Sequence, residues 1–134
     1  MSKLEKELSE LKTITTSAYE EGVTIPQAEK LAAKTLLARM ELADAIQAID
    51  LDARMKKQGA KAVRGDVYLK EVKAHEKKPT ESALESAVNL NTEVLDAELA
   101  FAEAETSKNR LSIYEDVVKD AHIYFRTIAK GSFD

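Results

Sequence analysis

The fold is decided by the stretch TIPQAEKLAAKTLLARMELADAIQAIDLDARMKKQ, residues 24–58. Its apolar residues recur every three or four positions, which predicts one face of an α-helix. Thr24 and Gln27 form a capping-box pattern, and Pro26 stands in the first turn, where its missing N–H is harmless. No glycine or proline interrupts the pattern after Pro26. The stretch therefore predicts one long helix that begins near residue 24.

This helix is predicted to continue to about Lys77. Gly59 and Gly65 each cost about 1 kcal/mol relative to alanine inside a helix, so we expect them to kink or loosen it. Valines beyond them keep the apolar spacing. Pro79 then ends the helix, because proline disfavours helical geometry at the residue before it.

Three shorter patterns surround the long helix. One helix is predicted from Ser2 to Tyr19. A short connecting helix is predicted to begin after Thr80, which caps it, and to end near Val88. A second long helix is predicted over residues 92–130, capped by an asparagine or threonine and stopped by a glycine.

The expected fold is all-α: an extended antiparallel hairpin of two long helices, with a short N-terminal helix and a short connecting helix, that forms oligomers. We expect residues 1–22 to form the N-terminal helix and residues 23–134 to form a single helical-hairpin domain. The composition agrees, because four glycines and two prolines in 134 residues are typical of long helices.

The composition and the pattern of apolar residues also indicate the cellular compartment. The chain has no cysteine, so it has no disulfide and no thiol chemistry. Its first residues alternate charged and apolar side chains, unlike a signal peptide, and no apolar run approaches the roughly 20 residues that span a bilayer. We expect a cytoplasmic protein without a membrane partner, in the host-cell cytoplasm if the chain is phage-encoded.

No catalytic constellation is present. The sequence lacks the HExxH, GxxxxGK[ST] and GxGxxG motifs, and His75 and His122 stand far apart. Each histidine is expected to be a solvated or packed imidazole. We therefore expect no enzyme activity and no cofactor.

Metal binding and cell adhesion are not expected either. The tripeptide Arg64-Gly65-Asp66 is interpreted as a chance match to a cell-adhesion signal. The spacing of the clustered carboxylates does not match an EF-hand loop and is typical of a solvated helix face. These carboxylates are Asp50, Asp52, Glu98, Glu103 and Glu105.

Residues 54–78 hold the strongest functional signal. They contain nine Lys and Arg residues and three acids, in a chain whose net charge is −4. Four of the bases are spaced by three, four and three residues, so they form one stripe on a helix. Such a row suits the phosphates of a nucleic-acid strand, and Tyr68 offers a ring for base stacking. The predicted contacts are Arg54, Lys56, Lys57, Lys61, Arg64, Tyr68, Lys70 and Lys73.

The interpretation predicts binding without sequence preference, and one alternative to nucleic-acid binding remains. Only Gln58 is placed to read base edges, so binding is expected to be non-specific. The alternative is that the cations pair internally with acids of the last helix, across the hairpin. The candidate partners are Glu93, Asp96, Glu98, Glu103 and Glu105.

The last helix carries a heptad seam, since its apolar residues alternate three and four positions apart. The seam either packs within the chain or joins subunits, and the clustering of Phe125, Ile128 and Phe133 at the end of the sequence favours subunits. We expect a homo-oligomer with this seam as its interface. The interface residues are Leu111, Tyr114, Val118, Ala121, Phe125 and Ile128.

The order of these segments resembles the phage recombination mediator proteins of the UvsY type, over about residues 40–130. A basic helix with Lys61, Arg64 and Tyr68 is followed by KKPTESAL and then by VNLNTEVL, which opens a long amphipathic helix. The extra N-terminal helix and the glycine and aspartate that follow Arg64 depart from the family's pattern.

The resemblance implies an all-helical accessory protein that assembles into a ring-like oligomer. Such a protein binds single-stranded DNA without sequence preference and helps a RecA-like recombinase to displace single-strand-binding protein. The family's DNA contacts carry over most directly to Lys57, Lys61 and Arg64. The alternatives are a helical phage structural or assembly protein, or a coiled-coil adaptor that does not bind nucleic acid.

Overall fold

The computed structural model describes residues 3–131, and within that range every regular element is an α-helix. The helices are α1 (Lys3–Glu21), α2 (Ile25–Lys73), α3 (Glu81–Leu90) and α4 (Thr92–Ala129). The predicted all-α fold with two long helices is confirmed. Ser2, the predicted start of the first helix, lies outside the described residues. None of these four helices has both the length and the apolarity needed to cross a membrane.

The predicted helix starts have the expected caps. Gln27 N–H donates to Thr24 Oγ1 at 3.3 Å, and Thr24 N–H donates to Gln27 Oε1 at 2.9 Å, so the capping box of α2 is formed. Thr80 Oγ1 accepts from Ala83 N–H at 3.2 Å and caps α3. Asn91 Oδ1 accepts the N–H groups of the second and third residues of α4 at 2.9 and 3.2 Å.

Two helices end at glycines in the left-handed region. Gly22 follows α1 with φ 81°, and its N–H donates to the Ala18 carbonyl at 2.8 Å. Gly131 follows α4 with φ 64°, and its N–H donates to the Ile128 carbonyl at 3.0 Å. Glycine adopts this conformation without the steric cost that a side chain brings. The predicted stop after the last helix is confirmed.

The end of α2 differs from the prediction. The helix runs through both of its glycines but stops at Lys73, before the expected Lys77. Residues 74–78, AHEKK, bring no large apolar side chain that the helix would bury. Pro79 also disfavours helical geometry just before it. Without burial to offset these effects, the last predicted turn does not form.

The chain divides into two compact units. Unit 1 holds the residues up to Gln47 and from Arg110 onward, and unit 2 is Ala48–Asn109. Each unit contains part of α2 and part of α4, with α1 in unit 1 and α3 in unit 2. Within unit 1, α1 shares its core with both long helices. The expected division into residues 1–22 and 23–134 stays a prediction.

Unit 1 is a core of three helices. In it, α2 and α4 run antiparallel, because Thr35 contacts His122 while the later Arg39 lies 3.8 Å from the earlier Glu115. Two clusters of buried side chains join α1 to this pair. They are Leu8, Leu11, Leu42 and Val118 in the first, and Ala18, Leu31 and Phe125 in the second.

A buried polar contact also links α2 to α4 in unit 1. His122 Nδ1 lies 2.9 Å from the Ala32 carbonyl oxygen and 3.2 Å from Thr35 Oγ1. A carbonyl can only accept, so Nδ1 carries a proton and donates to it. The Thr35 hydroxyl donates within its own helix, to the Leu31 carbonyl at 2.9 Å. His122 is therefore a packed imidazole, as predicted.

Unit 2 has a core of small side chains. Its part of α2 runs antiparallel to its part of α4, and α3 packs beside them. Alanine and valine dominate the contact, which lets helix backbones approach closely. The buried residues are Ala53, Ala60, Val67, Leu84, Val88, Val94 and Ala104.

Candidate nucleic-acid interface

Five of the predicted contact residues lie together on α2 in unit 2. At 3.6 residues per turn, or about 100° per residue, their spacing places them on one side of the helix, beside the buried alanines and valines. We call these residues the basic flank. They are Arg54, Lys57, Lys61, Arg64 and Tyr68.

The other three predicted contacts lie on different faces. At about 100° per residue, Lys56, Lys70 and Lys73 are each rotated by more than about 100° from the middle of the basic flank. Lys56 pairs with Asp52 at 3.0 Å, and Lys70 pairs with Asp66 at 3.4 Å. These three lysines therefore do not share the face of the basic flank, and their contact with nucleic acid stays a prediction.

One end of the basic flank shares an aspartate with α4. Arg54 Nη2 lies 3.0 Å from Asp50 Oδ2, and Lys108 Nζ lies 2.8 Å from Asp50 Oδ1, so each carboxylate oxygen binds one cation. The hydrogen bond from Lys108, helped by the charge of Arg54, lowers the pKa of the Asp50 carboxyl against the opposing effect of desolvation. The same hydrogen bond raises the pKa of Lys108, and Glu105 acts in the same direction. Two cations therefore meet at one bonded carboxylate.

Arg64 is held by its neighbours. Its guanidinium donates to Glu98 Oε1 of α4 at 2.9 Å and to Asn89 Oδ1 of α3. Glu98 was one of the acids predicted as an internal partner, so internal pairing is confirmed at this position. The Arg64-Gly65-Asp66 tripeptide lies within α2.

Lys57 and Lys61 differ from these arginines. Both are exposed and lie one helical turn apart. Within residues 3–131, neither forms an ion pair. Their charge is therefore available to a ligand without the loss of an existing contact.

Tyr68 is partly committed to the fold. Its ring is half-buried and packs against the valine cluster of unit 2. Its hydroxyl donates to the Glu81 carboxylate, with oxygen distances of 3.2 and 3.4 Å. Lys78 reaches the same carboxylate at 3.3 Å. The ring therefore offers less surface for base stacking than the sequence suggests.

Two cations that lie next to the basic flank were not predicted as part of the site. Lys108 belongs to α4, in a stretch rich in acids, and Lys78 follows the end of α2. Antiparallel packing of the long helices is the signal that would have brought Lys108 opposite Asp50. No comparable local signal identifies Lys78, because its place depends on how the chain turns into α3.

The predicted oligomer seam is largely used inside unit 1. Val118 and Phe125 are 5% and 0% exposed and belong to the cores that include α1. Leu111 and Ala121 pack against those cores, and Ile128 is half-buried. Residues of α1 therefore cover Val118 and Phe125 within unit 1, and the oligomer interface stays a prediction.

Tyr114 is the seam residue that stays exposed. It lines a groove of about 800 Å³ between α1 and α4, together with Tyr19, Ile113 and Val117. Phe133, which the sequence grouped with this seam, lies outside the described residues.

The carboxylates considered as metal ligands have other contacts or stand apart. Asp50 and Asp52 both bind basic side chains. Across residues 3–131, no three His, Cys, Asp or Glu side chains are grouped as a metal site requires. His75 is exposed and lies just after the end of α2, with its Nε2 3.9 Å from Glu71 Oε2 in the last turn of that helix.

No family model, curated protein or solved structure matches the chain. The resemblance to recombination mediators of the UvsY type therefore stays a prediction from the sequence. The functional interpretation depends on the geometry of the basic flank and on the surfaces around it.

Proposed function

We propose that the chain is an accessory protein that binds single-stranded nucleic acid without sequence preference, through the basic flank. The observation that carries the proposal is the pair Lys57 and Lys61, which are exposed and form no ion pair within residues 3–131. Lysines in this state attract phosphates and release counterions when they bind them.

The arginines of the basic flank add to this surface. Arg54 and Arg64 have side chains 77% and 41% exposed in their ion pairs. Exposed ion pairs contribute little to stability, so a phosphate can replace a carboxylate partner at small cost. The guanidinium then keeps a charge-assisted hydrogen bond.

The chemistry of the flank supports binding to the backbone of the strand. Phosphate contacts position a nucleic acid but carry no sequence information. The resemblance to recombination mediators extends the proposal: a homo-oligomer binds single-stranded DNA and helps a RecA-like recombinase to displace single-strand-binding protein.

The test is fluorescence anisotropy with a labelled single strand of ~30 nucleotides, titrated at several salt concentrations. We expect affinity to fall with salt, with a log–log slope of roughly −0.7 per contacted phosphate. The double variant Lys57→Glu/Lys61→Glu should lose binding and keep its helical circular dichroism. Arg64 is left unchanged, because a glutamate there would face Glu98.

The matched control is Lys70→Glu/Lys73→Glu, which changes the net charge equally on other faces of the same helix. This control should keep most of the affinity. Absence of wild-type binding at low salt would refute the proposal. Equal losses in the two double variants would show a response to net charge alone and would remove the basic flank as the site.

A second candidate, a self-assembling structural protein, is favoured by a different observation. Within each unit, both long helices expose large apolar side chains, several of them three or four residues apart and therefore on one helix face, and grouped apolar surface marks interaction sites. If the wild type fails to bind the strand but forms a defined oligomer in light scattering, this candidate replaces the first. The exposed residues include Leu36, Leu37, Met40, Leu51, Met55 and Leu69 on α2, and Leu95, Leu99, Ile113 and Val117 on α4.

A further inference from the structure

Carboxylates of the chain itself hold three groups at one end of the basic flank. Glu98 accepts from Arg64 at 2.9 Å. Glu81, the first residue of α3, accepts from the Tyr68 hydroxyl at 3.2 Å and lies 3.3 Å from Lys78 Nζ. A guanidinium, a phenol hydroxyl and an ammonium group therefore all bind anionic oxygen here.

This is the set of donors that binds a phosphodiester. Arginine binds phosphate oxygens through its planar fork, lysine supplies a point charge, and tyrosine donates one hydrogen bond. We infer that Arg64, Tyr68 and Lys78 form a phosphate-binding site, which Glu81 and Glu98 occupy until a nucleic-acid strand displaces them. The inference rests on the proposed function and extends its interface beyond the end of α2.

Displacement leaves the fold in place. The Glu81 and Lys78 side chains are 67% and 61% exposed, so their contact is a surface one. The start of α3 is held separately, by the bond between Ala83 N–H and Thr80 Oγ1. The side chain of Glu81 is therefore free to swing away without the loss of the helix cap.

The two carboxylates compete with the strand, because each adds a negative charge next to the site. Two like charges about 6 Å apart in water repel enough to change an affinity about threefold. Neutralising one carboxylate should therefore tighten binding about threefold at low salt, and neutralising both should tighten it about tenfold.

The experiment is the same anisotropy titration, with the full chain carrying Glu81→Gln, Glu98→Gln or both. The control is Glu103→Gln, which removes one charge from α4 at an exposed position with no ion pair among the described residues. Five residues beyond Glu98, it is rotated by about 140° around the helix. We expect tighter binding for the two site variants and a smaller change for the control.

A second pair of variants tests the new lysine. Lys78→Gln should weaken binding about threefold, whereas Lys77→Gln, at the exposed neighbouring residue, should have a smaller effect. Equal effects of the two changes would remove Lys78 from the site. Circular dichroism and thermal melting on every variant separate a binding change from a folding change.

The outcomes distinguish the inference from the proposed function. If the wild type binds and the Glu81 and Glu98 variants bind no tighter than the Glu103 control, the inference is overturned and the proposed function stands. If only the doubly neutralised variant binds, the site is supported and the wild-type function is refuted. If neither binds, both are overturned.

Discussion

Replacing Phe125 with alanine tests whether this residue lies in the core of unit 1 or in an interface between subunits. The sequence places Phe125 in a seam between subunits, whereas in unit 1 it is 0% exposed and packs with Ala18 and Leu31. Its ring also meets the Tyr124 ring edge-on, with centroids 5.4 Å apart. The change removes a full ring from a core that three helices share.

The expected loss follows from the burial. A buried Phe→Ala substitution costs about 3–5 kcal/mol, because transfer free energy is lost and a cavity remains. Domains of ordinary stability unfold with about 5–15 kcal/mol, so the Phe125→Ala variant should keep only part of its stability. Phe125→Leu leaves a smaller cavity and should stay folded with an intermediate loss.

The assay is urea unfolding followed by circular dichroism at 222 nm, at two protein concentrations that differ tenfold. The control is Ile123→Ala, on the same helix but 46% exposed, for which we expect a change within about 0.5–1 kcal/mol. A Phe125→Ala loss below about 1 kcal/mol would contradict the core assignment. A loss that disappears at high protein concentration would return Phe125 to a subunit interface.

Three further changes test other parts of the structure. Thr35→Val keeps the side-chain volume but removes the hydroxyl beside His122, and should cost about 1 kcal/mol in urea unfolding; unchanged stability would show that the hydroxyl is dispensable. The lowered pKa of Asp50 gives stability that is complete above the usual carboxyl pKa and is lost as the pH falls through the lowered one. Asp50→Asn should therefore weaken the protein at neutral pH and flatten its acid-unfolding curve, and an unchanged curve would contradict the contact with Lys108. Gly59 lies inside α2, and a Cβ added there would meet no neighbouring group within 4 Å, so Gly59→Ala should stabilise the protein by about 1 kcal/mol in thermal unfolding; an unchanged or lower melting temperature would contradict this expectation.

The helix starts were predictable because their signals are local. Thr24, Thr80 and Asn91 each accept N–H groups only two or three residues away, and that chemistry is written in the neighbouring sequence. The end of α2 was less predictable. It depends on whether the residues before Pro79 find anything to bury, which is a tertiary question.

The seam of the last helix shows the same limit. Its heptad spacing correctly identified buried positions, including Val118 and Phe125. Spacing cannot say what buries them. The threonines of α1 lower its helix propensity, and nothing in the spacing of the last helix indicates that Leu8, Leu11 and Ala18 cover this face. The packing of α1 decided the outcome.

Some ion pairs of the basic segment can be predicted from the sequence, and others cannot. An aspartate four residues before a base is visible in the sequence, and these pairs form as that spacing predicts for Arg54, Lys56 and Lys70. Among the bases of the basic flank, Lys57, Lys61 and Arg64 have no acid four residues earlier, so this spacing separates them from Arg54.

The ion pairs that the sequence does not predict are contacts between helices. Glu98 reaches Arg64 and Lys108 reaches Asp50 only because α2 and α4 pack antiparallel in unit 2. A net count of bases in residues 54–78 therefore overstates the charge open to a ligand on α2, and it omits a cation that α4 supplies. Within the basic flank, pairing each base with its nearest acid, first along the helix and then across it, leaves Lys57 and Lys61 as the positions where a phosphate meets no competitor.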